Sequence, residues 1–304
     1  MSSAPPVIKN LPVTNRHDVY DAISPEPYFS GSFNSTFRNK VILVAGGSKG
    51  IGYSIASFYA RAGATVIIVS RYQNTLDEAK ARILSETGSS RTSAEVLALA
   101  ADVSDPKDIE QVVAKVIEKY GHLDVAIANA AIGGSWDKRF TEGDPYNDWW
   151  KIMEVNVRGP YNVAHYALPQ LEKTGGSFVA VSSLACQASL PFASAYSVSK
   201  SALNRLVEYT AMEYPSVRSF TIHPGRILTQ APTLRAGPAP KWEPTASDTL
   251  QLPAATILKL TDGSGRFDFL SGRFLSANWD LEEVERDWKK DIVEKDMLVT
   301  RFVV

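Results

Sequence analysis

Residues 41–52 read VILVAGGSKGIG: five mostly apolar residues, then glycines at 46, 50 and 52, then a helical segment. A continuous apolar run of this length suits a strand buried on both faces. A tight strand-to-helix turn needs glycine where the backbone bends sharply or approaches a ligand closely, and the helix N-terminus then presents its N–H groups to an anion. The stretch predicts the first βα unit of a parallel sheet, with Gly46, Ser48, Lys49, Gly50, Ile51 and Gly52 around a dinucleotide phosphate. The plainer alternative is a structural turn with no ligand.

Working outward, the same texture recurs. Apolar runs TVIIVS, VLALAA, VAIANA, SFVAVSS, RSFTIH and GRFLSA follow VILVA, and helical character falls near residues 50–62, 72–87, 106–120, 145–172 and 195–214. Strands alternating with helices predict an α/β fold: a doubly wound, seven-stranded parallel sheet with helices on both faces. Residues 1–38 are rich in proline and lack periodicity, which predicts an extended N-terminal arm lying over a single domain at 39–304, pinned by Val19, Tyr20, Tyr28 and Phe29. Residues 226–247 hold Pro232, Pro238, Pro240 and Pro244 and read as a long substrate loop, because structureless connections of that length are usually functional or disordered. A C-terminal tail follows the last strand.

Composition excludes several classes. The 304 residues carry 32 basic and 33 acidic side chains, net charge −1, which offers no field for nucleic acid or an anionic membrane and points to a small-molecule partner. One cysteine, Cys186, permits no intrachain disulfide and fits a reducing compartment. No opening segment resembles a signal peptide and no apolar stretch approaches the roughly 18 residues of a membrane span, so a soluble cytoplasmic protein is expected. His17, His122, His165 and His223 have no metal-ligand spacing, and no metal is expected.

The spacing G-x-x-x-G-x-G resembles the short-chain dehydrogenase/reductase family, whose T-G-x-x-x-G-x-G signature is matched by AGGSKGIG with Ala45 in place of threonine. The resemblance implies a Rossmann fold and a nicotinamide dinucleotide. The second strand discriminates between the two cofactors: a carboxylate at its end would bind the ribose hydroxyls of NAD, and a cation would pair with the extra phosphate of NADP. Here the strand ends in Ser70 and Arg71, with Lys49 in the glycine loop, so NADP(H) is expected. Both cations could equally be ordinary surface charges. ADVSD places Asp102 and Val103 where the family contacts adenine, although an aspartate there also suits a cap or turn. ANAA at 128–131 resembles the family's N-N-A-G and keeps Asn129 and Ala130.

AYSVSK places Tyr196 and Lys200 four residues apart, on one helix face. A tyrosine near its ordinary pKa of about 10 is a poor base at neutral pH, and a neighbouring ammonium together with the positive nicotinamide favours its phenolate. In the family, Y-x-x-x-K is preceded by a serine thirteen residues earlier and by an asparagine on the previous long helix, which here are Ser183 and Asn156. The resemblance implies that Tyr196 exchanges the proton of a carbonyl or alcohol oxygen, Ser183 holds that oxygen, Lys200 also holds the nicotinamide ribose, and Asn156 positions a water leading to Lys200. HPGRILT resembles the family's P-G-x-x-x-T and places Pro224, Gly225, Ile227 and Thr229 over the nicotinamide carboxamide.

Substrate-facing positions are expected at Trp136, Ala185, Cys186, Gln187, Pro191, Phe192, Arg226 and Ile227, giving a pocket mainly apolar and aromatic, with Cys186 as wall rather than nucleophile. The expected function is NADP(H)-dependent hydride transfer to or from a ketone or secondary alcohol of a bulky molecule. SGRFLSANWDLEEV (271–284) resembles reductases of filamentous fungi, many of which act on secondary metabolites. An isomerising or cyclising enzyme on the same fold and a non-catalytic NADP(H) sensor are the alternatives. The family further implies a homodimer or homotetramer through the long helices.

Overall fold

The computed structural model describes residues 10–87, 95–134, 136–227 and 247–302. The seven apolar runs form strands β1 (Val41–Ala45), β2 (Thr65–Ser70), β3 (Val96–Ala100), β4 (Val125–Ala128), β5 (Ser177–Val181), β6 (Arg218–His223) and β7 (Arg273–Ser276). They make one sheet in the order β3-β2-β1-β4-β5-β6-β7, and every neighbouring pair is parallel. The chain runs outward from β1 to β3, then returns to place β4 on the other side of β1. Such a reversal leaves a crevice at the C-terminal ends of the two central strands, beside the glycine stretch.

Ten helical segments are described in chain order. They are α1 (Glu26–Phe29), α2 (Gly50–Arg61), α3 (Gln73–Glu86), α4 (Pro106–Tyr120), α5 (Lys151–Met153), α6 (Gly159–Thr174), α7 (Ser194–Glu213), α8 (Gln251–Leu260), α9 (Leu281–Glu283) and α10 (Lys289–Glu294). Because side chains alternate across a strand, Ile42, Val44, Val66 and Ile68 face one layer, with Ile55 and Tyr59 of α2, Ile83 of α3 and Leu258 of α8. Val41, Leu43, Ile67 and Val69 face the other, with Val112 of α4, Leu171 of α6 and Leu203 of α7. Each such fully buried aliphatic side chain contributes about 1.5–3 kcal/mol. Local signals also match: Asp105 caps α4 through the Lys107 N–H, Pro106 opens the helix, and Gly121 at φ +79° ends it.

Three features depart from the sequence expectation. The helix expected over 145–172 runs without a break over 145–174 but changes its winding: π-helical turns at Pro145–Trp150 and Glu154–Arg158 flank α5 before α6 begins. Helix α8 has no counterpart among the expected helices, because QLPAATILKL is apolar almost throughout and eight of its ten residues are buried. The proline-rich arm is not simply extended. It holds a 3-10 turn at Asp21–Ile23 and α1, and it buries Ile23, Tyr28 and Phe37. Tyr28, Phe37 and Tyr59 stack edge-on at 5.6 and 5.3 Å, Asn15 bridges Trp279, and Arg16 pairs with Asp280 at 2.8 Å.

Candidate functional site

The glycine stretch closes on itself through backbone contacts that tolerate no larger residue. Gly46 lies at φ +84°, and a Cβ there would come 2.7 Å from the Ala130 nitrogen; a Cβ on Gly52 would collide with the Gly46 carbonyl. Asn129 ties this turn to β4, donating Nδ2–H to the Gly46 carbonyl at 3.0 Å while its own N–H and that of Ala130 reach the Ala45 carbonyl. These bonds hold the turn where Ala45 lacks the threonine hydroxyl. No side chain caps the N-terminus of α2, so its first N–H groups face the crevice.

That crevice is a cleft of about 260 Å³, lined at one end by Gly46, Ser48, Lys49, Gly50 and Ile51, along one wall by Ser70, Arg71, Asp102, Val103, Asn129 and Ala130, and at the far end by Tyr196, Lys200 and Pro224. Ala131, which stands where the family's N-N-A-G has glycine, also lines it, as do Ala101, Ile132, Val155, Val181 and Ser182, none of which was singled out from sequence. Apolar wall residues next to β-strand ends carry no motif. The chemistry fits a dinucleotide: uncapped amides where a pyrophosphate would lie, exposed Lys49 in the glycine loop and exposed Arg71 after β2, both lining the cleft, and a buried Ser70 Oγ with no protein partner. Asp102 is a turn residue that also lines the cleft, accepting from the Ser104 N–H and Oγ–H at 2.8 and 2.7 Å. Burial opposes its charge, but those bonds and the Lys151 and Arg71 cations hold its carboxyl below the usual range.

Gly52 lies beneath the glycine turn rather than in the cleft, and Gly225 and Ile227 are not among the cleft's walls. Thr229 lies outside the described residues, as does nearly all of the expected substrate loop.

Helix α7 begins at Ser194, so Tyr196 stands in its first turn and Lys200 one turn later, facing the end of β5. The Tyr196 hydroxyl meets Ser183, the residue after Ser182 at that strand end. Lys200 is 2% exposed, its Nζ lies 5.7 Å from the Tyr196 ring centre, and it donates to the Val181 carbonyl at 2.8 Å. Burial lowers the Lys200 ammonium to about 8. Burial raises the Tyr196 phenol, and the neighbouring Ser183 hydroxyl works against that rise. The phenol is therefore protonated at neutral pH.

Asn156 sits in the second π turn and is wholly buried. Both of its amide protons are committed, to the Ile132 carbonyl at 2.9 Å and to Ser199 Oγ at 3.1 Å, and Oδ1 accepts the Ile132 N–H. The expected water could then meet this side chain only by donating to the remaining lone pair of Oδ1. Asn156 ties the end of β4 to the first turns of α7, where Ser199 Oγ–H in turn donates to the Tyr196 carbonyl at 2.7 Å. A π-bulge at such a position is a common mark of a functional site.

Among the expected substrate-facing residues, Trp136 and Phe192 line a second cavity beside Tyr196, while Ala185, Cys186, Gln187, Pro191, Arg226 and Ile227 line neither space. Cys186 packs against the core instead of forming a pocket wall, and burial pushes its thiol up to about 11. Asp248 was not singled out from sequence, yet its carboxylate accepts from the Arg226 N–H at 2.5 Å and Asn278 Nδ2–H at 3.0 Å, and pairs with His17 of the arm at 2.5 Å. A lone aspartate in SDTL gives no signal of this.

A sequence model of the short chain dehydrogenases matches residues 40–236. The short chain dehydrogenase andI of Emericella variicolor is 31% identical over 303 residues, 98% of each chain. The short chain dehydrogenase mpl6 of Monascus purpureus is 34% identical over 271 residues, 88% of this chain and 90% of that one. Among solved structures, an alcohol dehydrogenase from the archaeon Thermococcus sibiricus complexed with 5-hydroxy-NADP superposes with TM-score 0.64 at 28% identity, covering 74% of this chain and 92% of that one. A 3-ketoacyl-ACP reductase from Sinorhizobium meliloti gives TM-score 0.66 at 27% identity, covering 78% and 98%.

Proposed function

This chain belongs to the short-chain dehydrogenase family, and from that premise we propose that it is an NADP(H)-dependent oxidoreductase acting on the ketone or secondary alcohol of a bulky, largely apolar small molecule, in the manner of a ketoreductase. The observation behind the reading is that Tyr196 and Lys200 stand at one end of a cleft whose other end is the glycine turn, with Ser183 beside the Tyr196 phenol. Support for NADP(H) comes from Arg71 just after β2 and Lys49 in the glycine loop, both lining the cleft, with no carboxylate on the last residue of β2. The cofactor, when bound, supplies or accepts the hydride at the carbonyl carbon.

In the reductive direction Tyr196 donates its proton to the carbonyl oxygen as the C–H bond forms and the C=O π electrons move onto oxygen. Ser183, whose hydroxyl already neighbours the phenol, holds that oxygen. Lys200 sits close enough to stabilise the resulting phenolate, and charge appearing on Tyr196 favours the protonated lysine. Asn156 acts as a positioning residue for the first turn of α7. Reduction suits the phenol held protonated by burial, and oxidation requires its deprotonation, so the oxidative rate rises with pH while the reductive rate does not.

The single cysteine, which suits a reducing compartment, supports a cytoplasmic location; among the described residues no helix is long and apolar enough to cross a membrane. Exposed Tyr161 on α6 and Val198, Tyr209 and Met212 on α7 support association as a homodimer or homotetramer. The test of function is Tyr196→Phe: we expect ketone reduction with NADPH to fall by about 10²–10⁴ with NADPH affinity retained. Unchanged turnover overturns the reading.

A further inference from the structure

A second cavity, of about 310 Å³, shares Tyr196 as a wall with the cofactor cleft and lies between the segment after β4 and the start of α7. Two of its aromatic walls have left-handed backbone, Trp136 at φ +56° and Phe192 at φ +66°. For bulky residues that region is strained, at about 1–3 kcal/mol each, and such strain persists where the surroundings impose it and clusters at ligand sites. Two strained aromatics flanking one reactive tyrosine is an arrangement that packing of the core does not require, since Phe192 is 47% exposed.

The remaining walls define what fits. The Trp136 indole N–H is bonded to the Gly133 carbonyl at 2.6 Å, and that of Trp149 to Ser194 Oγ at 3.1 Å. Neither indole has a donor left for a ligand, so both present only ring faces and edges. Lys138 is paired with Asp148 at 2.6 Å, Arg139 with Glu142, and the Asp144 carboxylate accepts the Tyr146 and Asn147 N–H groups, so each charged wall of the cavity already has a partner within the protein. Phe140, 75% exposed, meets Trp149 edge-on at 6.3 Å and places an aromatic edge at the rim. The volume is at the low end for pockets that enclose drug-sized molecules, about 300–1,000 Å³.

Building on the carbonyl-reductase reading, we propose that this cavity is the substrate site and that it takes a flat, uncharged fused-aromatic ketone, stacked against Trp136 and Phe192 with its carbonyl toward Tyr196. Offset and edge-on contacts with several rings favour a flat π system over a saturated ring of the same skeleton.

The matched pair 2-tetralone and 2-decalone tests this, each reduced to its secondary alcohol with NADPH as hydride donor and the proton from Tyr196. We expect kcat/KM for 2-tetralone to exceed that for 2-decalone at least tenfold, and Phe192→Leu and Trp136→Leu each to bring the ratio toward one. Phe192 is on the surface, so its variant folds if Trp136→Leu does not. Equal wild-type turnover of both ketones overturns the aromatic site and leaves the oxidoreductase reading standing. If neither ketone is reduced with either nicotinamide cofactor, the reading beneath fails. The cavity is then judged by tryptophan quenching with 2-naphthol: saturable quenching weakened tenfold by Phe192→Leu upholds an aromatic site, and absence of saturation overturns it.

Discussion

Replacing Lys200 by methionine should abolish most activity and yet make the cofactor-free protein more stable. Lys200 is 2% exposed, and among the described residues its one hydrogen bond from Nζ goes to the Val181 carbonyl. Burial lowers its pKa from the ordinary 10.5 to about 8. Between those two values the unfolded chain binds more protons than the folded one, so this lysine makes stability rise with pH from about 8 to 10.5. At neutral pH, below both values, the folded state bears the full cost of the buried ammonium, about 3 kcal/mol at about 1.4 kcal/mol per unit. Methionine fills a similar volume without charge and gives up one hydrogen bond, about 1 kcal/mol. The net expectation is a gain of about 2 kcal/mol at pH 7 in urea unfolding. That gain should shrink above pH 8 and vanish near about pH 9.5, because wild type recovers the ammonium cost as it deprotonates. A variant less stable than wild type at pH 7, or a difference that does not change between pH 7 and 10, refutes the reasoning.

Gly52→Ala would drive a methyl into the Gly46 carbonyl, so a stability loss of about 1–3 kcal/mol and weaker NADPH binding are expected from unfolding and fluorescence titrations. Asp248→Ala strips the partner from the Arg226 N–H, Asn278 and His17; a loss of about 2–4 kcal/mol is expected, with faster hydrogen exchange at Arg226 and Thr249. Arg71→Ala should weaken NADPH at least tenfold while NADH changes little, measured by titration of each cofactor. The ratio of oxidative to reductive rate should climb with pH, since burial holds the Tyr196 phenol protonated and only oxidation needs the phenolate.

The central elements were legible because their physics is local and repetitive. Buried parallel strands show as continuous apolar runs, and all seven lie where VILVA and its successors place them, to within one or two residues at most ends. The glycine turn was legible because Gly46 and Gly52 sit where a side chain would strike backbone. Helix α8 was hidden by the same rule in reverse: a helix buried on every side has no polar face, and its period disappears. The π turns around Asn156 leave no composition signal, since the polar and apolar spacing of the segment still reads as helix. The arm's turns depend on long-range partners, such as Tyr28 with Asp262 and Arg16 with Asp280, that no local window contains. Within the site, motif spacing singled out Ser183, Tyr196 and Lys200, but the burial of the phenol and the ammonium did not follow from spacing. Burial raises the tyrosine and lowers the lysine, and that depends on how closely the sheet and α7 pack around both groups.

The most direct test of an NADP(H)-dependent oxidoreductase is a parallel titration of the protein with NADPH and NADH, followed by nicotinamide fluorescence. Binding of NADPH at least tenfold tighter than NADH, with the gap closed by Arg71→Ala, is the expected result. Equal affinities or tighter NADH would contradict the cofactor assignment, and binding of neither would contradict the oxidoreductase itself.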